Sequence, residues 1–369
     1  MRTLVISDLH LGSAFGADVL RSPAVRARLL DELAAVDRLV LLGDVVELRH
    51  GPPRDAMAIA EPFFREVGEA MAGGTVVLVP GNHDHALIEP WLAARGELGA
   101  PASLAVEQLL EPGEASAAYA RIARWLAAPE VTVAYPGLHL REDVYATHGH
   151  YLDVHLTVPT LERLGMSVMT RVNGRPAATL AGVDDYEATA APVYAWRDSV
   201  ARVAPTSPVL NGAATANAWR TLAGGGNGVE RIRRQAARAA FPLAVAALNR
   251  AGLGPLSPAL GGDDLRVAGL NAMAEVARRL SLAGRHVVFG HTHRPGPLPD
   301  DALIEWLGGG DVSLVNAGSW CYSAVFLTTR PGESPYWPGS AVLIEDEAAP
   351  VVRRLLQDVG HEQLDRGAP

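Results

Sequence analysis

Seven side chains that suit a divalent metal ion occur in short polar clusters spread along this sequence. Asp8 and His10 lie two residues apart on an extended segment, so their side chains point the same way, and His291 and His293 repeat that spacing. The other members are Asp44, Asn82 and His148. Two aspartates, one asparagine and four histidines are too many ligands for one ion and about right for two, with a carboxylate such as Asp44 as the bridge. Mixed nitrogen and oxygen ligation predicts Mn²⁺ first, with Fe, Zn²⁺ or Ni²⁺ as alternatives.

Short apolar runs lead into these clusters and predict the elements that position them. Runs of aliphatic or β-branched residues end in polar residues at 4–6, 39–42, 76–79, 144–146, 286–289 and 312–315. Such continuous runs are typical of strands buried on both faces, and helix-like patterns at 25–36 and 56–71 separate the first three. Ligands of α/β sheets gather outside the carboxyl ends of the strands. The sequence therefore predicts an α/β fold with one shared site at that edge of the sheet.

Each cluster, taken alone, also has an ordinary structural explanation. A histidine at a strand end is more often a hydrogen-bonding residue than a ligand, and Asp or Asn after Gly often only makes a turn. The coincidence of five such clusters at predicted strand ends is what favours a metal site.

The composition is that of a globular protein with a sizeable core. The 369 residues are 49% hydrophobic and 20% charged, and the formal charge of −9 argues against a surface that grips nucleic acid throughout. Cys321 is the only cysteine, which excludes an intrachain disulfide and a zinc site built on cysteines. The strand pattern starts at once and no run is long enough to span a bilayer, so we expect a cytoplasmic protein.

Two insertions interrupt the strand pattern. The stretch 86–136 is rich in alanine and is expected to be helical, and the longer stretch 151–285 is also mostly helix-like. We therefore expect a core of residues 1–150 and 286–369 with a helical cap or insertion at 151–285. Within the insertion, a basic stretch precedes the apolar residues 241–248, which is a pattern for peripheral membrane contact as well as for an ordinary amphipathic helix. The basic residues are Arg231, Arg233, Arg234 and Arg238.

The clusters resemble the motifs of the calcineurin-like metallophosphoesterase family. Its five blocks occur in the family's order, as Asp8-x-His10, Gly43-Asp44-x-x-Glu47, Gly81-Asn82-His83-Asp84, His148 and Gly290-His291-x-His293. The resemblance implies a two-sheet α/β/β/α sandwich and hydrolysis of a phosphomonoester, phosphodiester or pyrophosphate, in which a hydroxide activated by two metals attacks phosphorus in line. The ligands that it implies are Asp8, His10 and His293 for one metal, Asn82, His148 and His291 for the other, and Asp44 as the bridge.

The resemblance also implies catalytic roles beside the metals. His83 is expected beside the leaving group, where it neutralises or protonates the departing oxygen, and Glu47 is expected to orient it. Asp84 is expected to brace the loop. His150 and Arg294 are candidate contacts to the substrate phosphate by position and charge.

Departures from the patterns of individual branches narrow the resemblance. Protein Ser/Thr phosphatases read GDxxDRG and GNHE, whereas this chain reads GDVVELR and GNHD. SDLHLG, GD-x-x-E and a cap between the fourth and fifth blocks resemble the UDP-2,3-diacylglucosamine pyrophosphohydrolases, although many of those read GNRD where His83 stands here. We expect a phosphorylated small-molecule or lipid-linked substrate and no obligate nucleic acid. A DNA nuclease of the same family and a non-catalytic scaffold with the same fold are the alternatives.

Overall fold

The fold is described from a computed structural model that covers residues 1–97, 102–203, 229–259, 261–282, 286–308, 312–323, 327 and 330–365. Within these residues the chain forms ten strands: β1 (Arg2–Ile6), β2 (Arg38–Leu42), β3 (Thr75–Val79), β4 (Glu107–Leu110), β5 (Glu130–Arg141), β6 (Val144–Thr147), β7 (His286–Phe289), β8 (Ser313–Asn316), β9 (Ser340–Glu345) and β10 (Val351–Arg354). The α-helices in the same residues are α1 (Pro23–Leu33), α2 (Pro53–Ala70), α3 (Glu89–Glu97), α4 (Pro112–Ala115), α5 (Ala117–Leu126), α6 (Leu161–Val172), α7 (Val183–Val203), α8 (Val229–Arg250), α9 (Gly262–Arg279) and α10 (His361–Leu364). Short 3₁₀ turns include His85–Leu87 and His150–Val154.

All ten strands belong to one hydrogen-bonded network. Its order is β10-β9-β1-β2-β3-β5-β6-β7-β8, with β4 paired to β5. The pairs β1–β2, β2–β3, β3–β5, β6–β7 and β7–β8 are parallel. The long strand β5 joins the two halves, because its first residues pair with β3 and its last residues pair with β6.

The core shows that the two halves of this network pack face to face as two layers. Alternate residues of each strand point to opposite faces. On β1, Leu4 and Ile6 join the apolar core beneath α1, α2 and α5, whereas Val5 joins a separate core. That separate core also contains Val288 and Val315 from the second half, so it lies between the layers. The predicted α/β/β/α sandwich is confirmed, with the two sheets continuous through β5.

The helices of the insertion share a core with the second layer. Met166 of α6, Tyr186 of α7 and Met273 of α9 pack in one cluster with Val287 and Phe289 of β7. The division into core and insertion at residues 150 and 286 stays a prediction. The glycine-rich stretch 224–228 and the side chains of the four basic residues Arg231, Arg233, Arg234 and Arg238 lie outside the described residues, so the membrane contact also stays a prediction.

The expectation that 86–136 is helical is wrong for part of that stretch. It holds β4 and the start of β5 besides α3, α4 and α5. The residues Val131, Thr132 and Val133 pair with β3 in parallel register, and this pairing outweighs the alanine-rich composition around them. None of the helices in the described part of the chain is long and apolar enough to cross a membrane.

Candidate metal centre

Seven polar side chains meet at the carboxyl ends of five strands. β1 leads to Asp8 and His10, β2 to Asp44, and β3 to Asn82. Farther along the chain, β6 leads to His148 and β7 to the remaining pair, His291 and His293. Because β1, β2 and β3 are parallel to one another, as are β6 and β7, their carboxyl ends share an edge. The structure brings all seven predicted ligands together there.

Three of these residues form a first set of donor atoms. His293 Nε2 lies 3.1 Å from Asp8 Oδ1 and 3.3 Å from His10 Nε2, and His10 Nε2 lies 3.9 Å from Asp8 Oδ1. Neighbouring ligands of an ion bound at about 2.1 Å are separated by about 3 to 3.5 Å. The first set therefore has the spacing of a chelate.

A second set forms around Asn82. Its Oδ1 lies 3.2 Å from His148 Nε2, 3.0 Å from His291 Nδ1 and 3.3 Å from Asp44 Oδ2. Four atoms with lone pairs thus face one point, and a cation at that point would bind all four. With the amide group rotated by 180°, its NH₂ would donate to these three atoms and its oxygen would accept from Arg49. A metal ion requires the other orientation, in which the amide oxygen points inward.

Asp44 faces both sets with the same oxygen. Its Oδ2 lies 3.4 Å from His148 Nε2 and 3.7 Å from His10 Nε2, while its Oδ1 accepts a hydrogen bond from the His83 backbone N–H at 2.7 Å. One carboxylate oxygen therefore stands where a bridge between two ions would be needed.

The charges of the site also suit a cation. Although burial opposes it, hydrogen bonding to Glu47 and the charge of Asp44 raise the pKa of His10 to about 9. Burial likewise opposes the effect of Asp44 and Asp8, which raise the pKa of His148 to about 10. Carboxylates that hold protons on imidazoles this strongly attract a metal ion by the same charge.

Three ligand histidines are held by a partner on the ring nitrogen that faces away from the donor sets. His10 Nδ1 lies 2.9 Å from Glu47 Oε2, and His148 Nδ1 lies 2.9 Å from the Leu42 carbonyl. His291 uses the opposite nitrogen, with Nε2 lying 3.1 Å from Asp153 Oδ1. An N–H on each outer nitrogen leaves a lone pair on the inner one, which is the tautomer that a metal ligand needs.

Five ligand residues have left-handed backbone conformations that residues other than glycine seldom adopt. The φ angles are +57° at Asp8, +46° at His10, +50° at Asp44, +65° at His291 and +62° at His293. Backbone hydrogen bonds hold these turns, including Asp8 N–H to the Gly43 carbonyl at 3.1 Å. Strain of this kind concentrates at functional sites.

Glycines precede several ligands because the ligands leave no space for a side chain there. A Cβ on Gly43 would lie 2.3 Å from His148 Nδ1, and one on Gly290 would lie 2.5 Å from Asp8 Oδ2. The Gly-Asp and Gly-His pairs of the sequence therefore have a steric cause.

Glu47 connects His83 to the first set. His83 Nδ1 lies 2.8 Å from Glu47 Oε2, the same oxygen that contacts His10 Nδ1. Burial alone would raise the pKa of Glu47, but the neighbouring His83 and His50 and the hydrogen bonds from His10 and His83 hold that pKa well below its usual range. Burial lowers the pKa of His83 to about 3, and the carboxylates of Glu47 and Asp44 oppose this only in part.

Asp84 ties two loops of the site together. Its Oδ1 accepts a hydrogen bond from Gly81 N–H at 2.6 Å, and its Oδ2 accepts one from Val45 N–H at 2.8 Å. Burial and the nearby Asp44 carboxylate raise the pKa of Asp84 to about 6. Asp84 thus lies where a brace between the β2 and β3 loops is needed.

The two candidate substrate contacts differ in their surroundings. His150 is buried, its ring is 5.6 Å from that of His148, and neither ring nitrogen has a hydrogen-bond partner among the described residues. Arg294 makes a two-pronged ion pair with Asp301, at 2.6 and 2.5 Å, and its guanidinium lies over Trp306. A role for either residue in binding phosphate stays a prediction.

Several residues around the centre carried no recognised signal in the sequence. Asp153 lies five residues after His148 and contacts His291. The insertion helix α7 supplies Asp198, which accepts a hydrogen bond from Arg49 Nε at 3.1 Å. Cys321 was not expected near a metal, yet its sulfur and the ligand atoms of His10 and His293 lie within 4.8 Å of one another.

Helix α7 contacts the surroundings of the candidate metal centre through a second residue. Its Glu187 accepts hydrogen bonds from Tyr135 and Tyr151 and lies 3.2 Å from His85 Nε2. Only the fold brings this part of the insertion beside the loop that follows β3, so spacing along the chain could not have revealed the contact.

Comparison with known proteins agrees with this geometry. Residues 1–182 match the family model described as calcineurin-like phosphoesterase. The match includes Asp8, His10, Asp44, Asn82 and His148, whereas the fifth block lies beyond it. A search of curated proteins found no match. The match over the first four blocks identifies residues 1–182 as a calcineurin-like phosphoesterase domain, and the structure brings the fifth block to the same edge of the sheet.

Proposed function

We propose that this protein hydrolyses phosphoesters with two divalent ions bridged by Asp44. The observation that carries the proposal is the position of Asp44 Oδ2, which faces His10 of the first set and His148 of the second. When bound, two such ions polarise the phosphoryl group and generate a hydroxide nucleophile near neutral pH. The nitrogen and oxygen donors favour Mn²⁺, with Fe, Zn²⁺ and Ni²⁺ as alternatives.

The ligand side chains hold their geometry through contacts within the protein. Glu47 fixes the ring of His10, and Asp153 fixes the ring of His291, by the contacts to their outer nitrogens. The centre is therefore assembled from side chains whose orientation does not depend on the substrate.

His83 is the candidate for assisting the leaving group. With Nδ1–H donated to Glu47, its Nε2 is free to carry a proton to the departing oxygen. The lowered pKa of His83 makes the imidazole neutral in the free protein, and an anionic phosphoester beside it would raise that pKa again. Glu47 favours the protonated ring by remaining a carboxylate.

Hydrolysis of bis-p-nitrophenyl phosphate tests the proposal. The parent protein should release p-nitrophenol with Mn²⁺, and Asp44→Asn should lose more than about 100-fold of kcat/KM, because a direct ligand should matter more than the residues that orient ligands. Asp358→Asn is the matched control, since this carboxylate pairs with Arg28 at the surface. A parent that is inactive with Mn²⁺, Fe²⁺, Zn²⁺ and Ni²⁺, or an Asp44→Asn variant with parental activity and metal content, would overturn it.

A further inference from the structure

A cavity of about 310 Å³ lies beside the His83–Glu47 pair. Its walls come from the loop after β1, the loop after β2 and the start of α2. Glu47 and His50 form the end nearest to the candidate metal centre. Apolar contacts come from Ala14, Pro52 and Ile59, and polar ones from Ser13, Arg21 and Asp55.

His50 lines this cavity and lies beside His83. The His50 ring meets the His83 ring edge to face at 6.4 Å between centroids, and His50 Nδ1 lies 3.7 Å from Glu47 Oε2. The cavity therefore adjoins the side of the site on which His83 lies.

An exposed aromatic ring lies next to two residues that line the cavity, Ala14 and His50. Phe15 is 44% exposed, and its ring meets that of His50 edge to face at 4.9 Å. Burial and the charges of Arg197, Arg49 and His10 lower the pKa of His50, with Glu47 opposing, so His50 presents a neutral ring. The two adjoining rings and the apolar side chains of Ala14, Pro52 and Ile59 offer contacts that suit a planar ring.

The size of the cavity limits what it can hold. Ligand pockets range from about 300 to 1,000 Å³, so this one is near the lower end of that range. It has room for one ring system, such as a nucleobase or another aryl group, and too little for a pair of long acyl chains.

We infer that this cavity binds the leaving group of the substrate and that this group is aromatic. The inference rests on the proposed function. In the reaction, a water oxygen forms a bond to phosphorus while the bond from phosphorus to the leaving oxygen breaks. The leaving oxygen keeps the electron pair and takes up a proton, and the ring attached to it would lie in the cavity, against the side of the Phe15–His50 pair.

Phosphonates test the inference, because their P–C bond is not hydrolysed and their substituent occupies the leaving-group side. Inhibition by phenylphosphonate, octylphosphonate and methylphosphonate is measured against turnover of bis-p-nitrophenyl phosphate with Mn²⁺. In the parent, phenylphosphonate should bind about three- to tenfold more tightly than methylphosphonate, as expected for an aromatic contact.

Two variants should remove this preference by different routes. Phe15→Ala removes the ring, and Ala14→Trp fills the cavity from an exposed position at its rim. Both should bring the phenylphosphonate inhibition constant to within about twofold of that for methylphosphonate, which itself should not change. Leu109→Ala, which shortens a side chain of similar exposure on β4, is the control and should keep the parental preference.

The outcomes separate this inference from the proposed function. A parent that does not hydrolyse the diester with any of the four metals contradicts the proposed function. An active parent without a phenyl preference, or with one that both variants keep, contradicts the leaving-group cavity. Tighter binding of octylphosphonate than of phenylphosphonate, lost in the same variants, would show an aliphatic occupant and overturn the aromatic assignment.

Discussion

Replacing Asp153 by Asn should weaken one metal site and spare the other. Asp153 is buried, and its Oδ1 lies 3.1 Å from His291 Nε2, while the second set of donors uses His291 Nδ1. The substitution keeps the size of the side chain and removes its charge. His291 then has only a neutral amide as its outer partner and loses the carboxylate that raises the basicity of its inner nitrogen.

The expected loss follows from what such partners contribute. Removing an outer partner of a ligand histidine typically costs about 10- to 100-fold in metal affinity, or about 1.4 to 2.7 kcal/mol. The first set should be spared, because His10 is held by Glu47, and His293 contacts Asp8 rather than Asp153.

Equilibrium dialysis with Mn²⁺, followed by metal analysis, resolves the two affinities. The parent should bind two ions, and Asp153→Asn should show one affinity lowered about 10- to 100-fold and the other within about twofold of the parental value. Asp184→Asn, at the exposed start of α7, is the control and should bind metal like the parent. Equal affinities in Asp153→Asn and the parent would refute the reasoning, and equal weakening of both sites with a lower unfolding temperature would point to a structural role alone.

Two further predictions concern Glu47 and His155. Glu47→Gln should weaken Mn²⁺ binding at the first set and spare the second, because Glu47 contacts His10. Because Glu47 also contacts His83, kcat should fall about 10- to 100-fold even at saturating Mn²⁺. Weakening of the second set instead would contradict the assignment. Burial and the charge of Arg279 lower the pKa of His155 to about 4, below the ordinary value of about 6.5, so the folded protein binds fewer protons here than the unfolded chain. The stabilising contribution of the neutral His155 is complete above pH 6.5, and up to about 3 kcal/mol of it is lost as the pH falls towards 4. The free energy of unfolding of His155→Gln, measured by urea titration, should therefore decrease less between pH 6.5 and pH 4 than that of the parent. An unchanged slope would show that His155 does not titrate as described.

The ligands could be read from the sequence because each lies within a few residues of a strand end. A glycine or a spacing of two residues marks most of them. The glycine before Asp44 has a steric cause, since a Cβ on Gly43 would lie 2.3 Å from His148 Nδ1. The strands that lead to the ligands could be predicted because nearly all of their residues are buried and their sequences are continuously apolar.

The residues that hold the site in place from outside could not be predicted in the same way. Asp153, Glu187 and Asp198 lie in the insertion, and only the fold brings them to His291, His85 and Arg49. A lone carboxylate in a helical stretch has no pattern that separates it from an exposed one. The start of β5 was missed for a related reason, because its pairing with β3 is a tertiary effect that composition does not carry.

The strained backbone at the ligands connects the fold to the chemistry. Left-handed conformations at residues other than glycine persist only where the surroundings enforce them. Here the enforcing contacts are hydrogen bonds between strand ends, such as His10 N–H to the Asp44 carbonyl at 2.8 Å and Trp320 N–H to the Asp8 carbonyl at 3.0 Å. These bonds join protein to protein and need no metal. The cost of orienting the ligands is therefore met during folding by the packed layers, and the donor atoms already face their common points when an ion arrives.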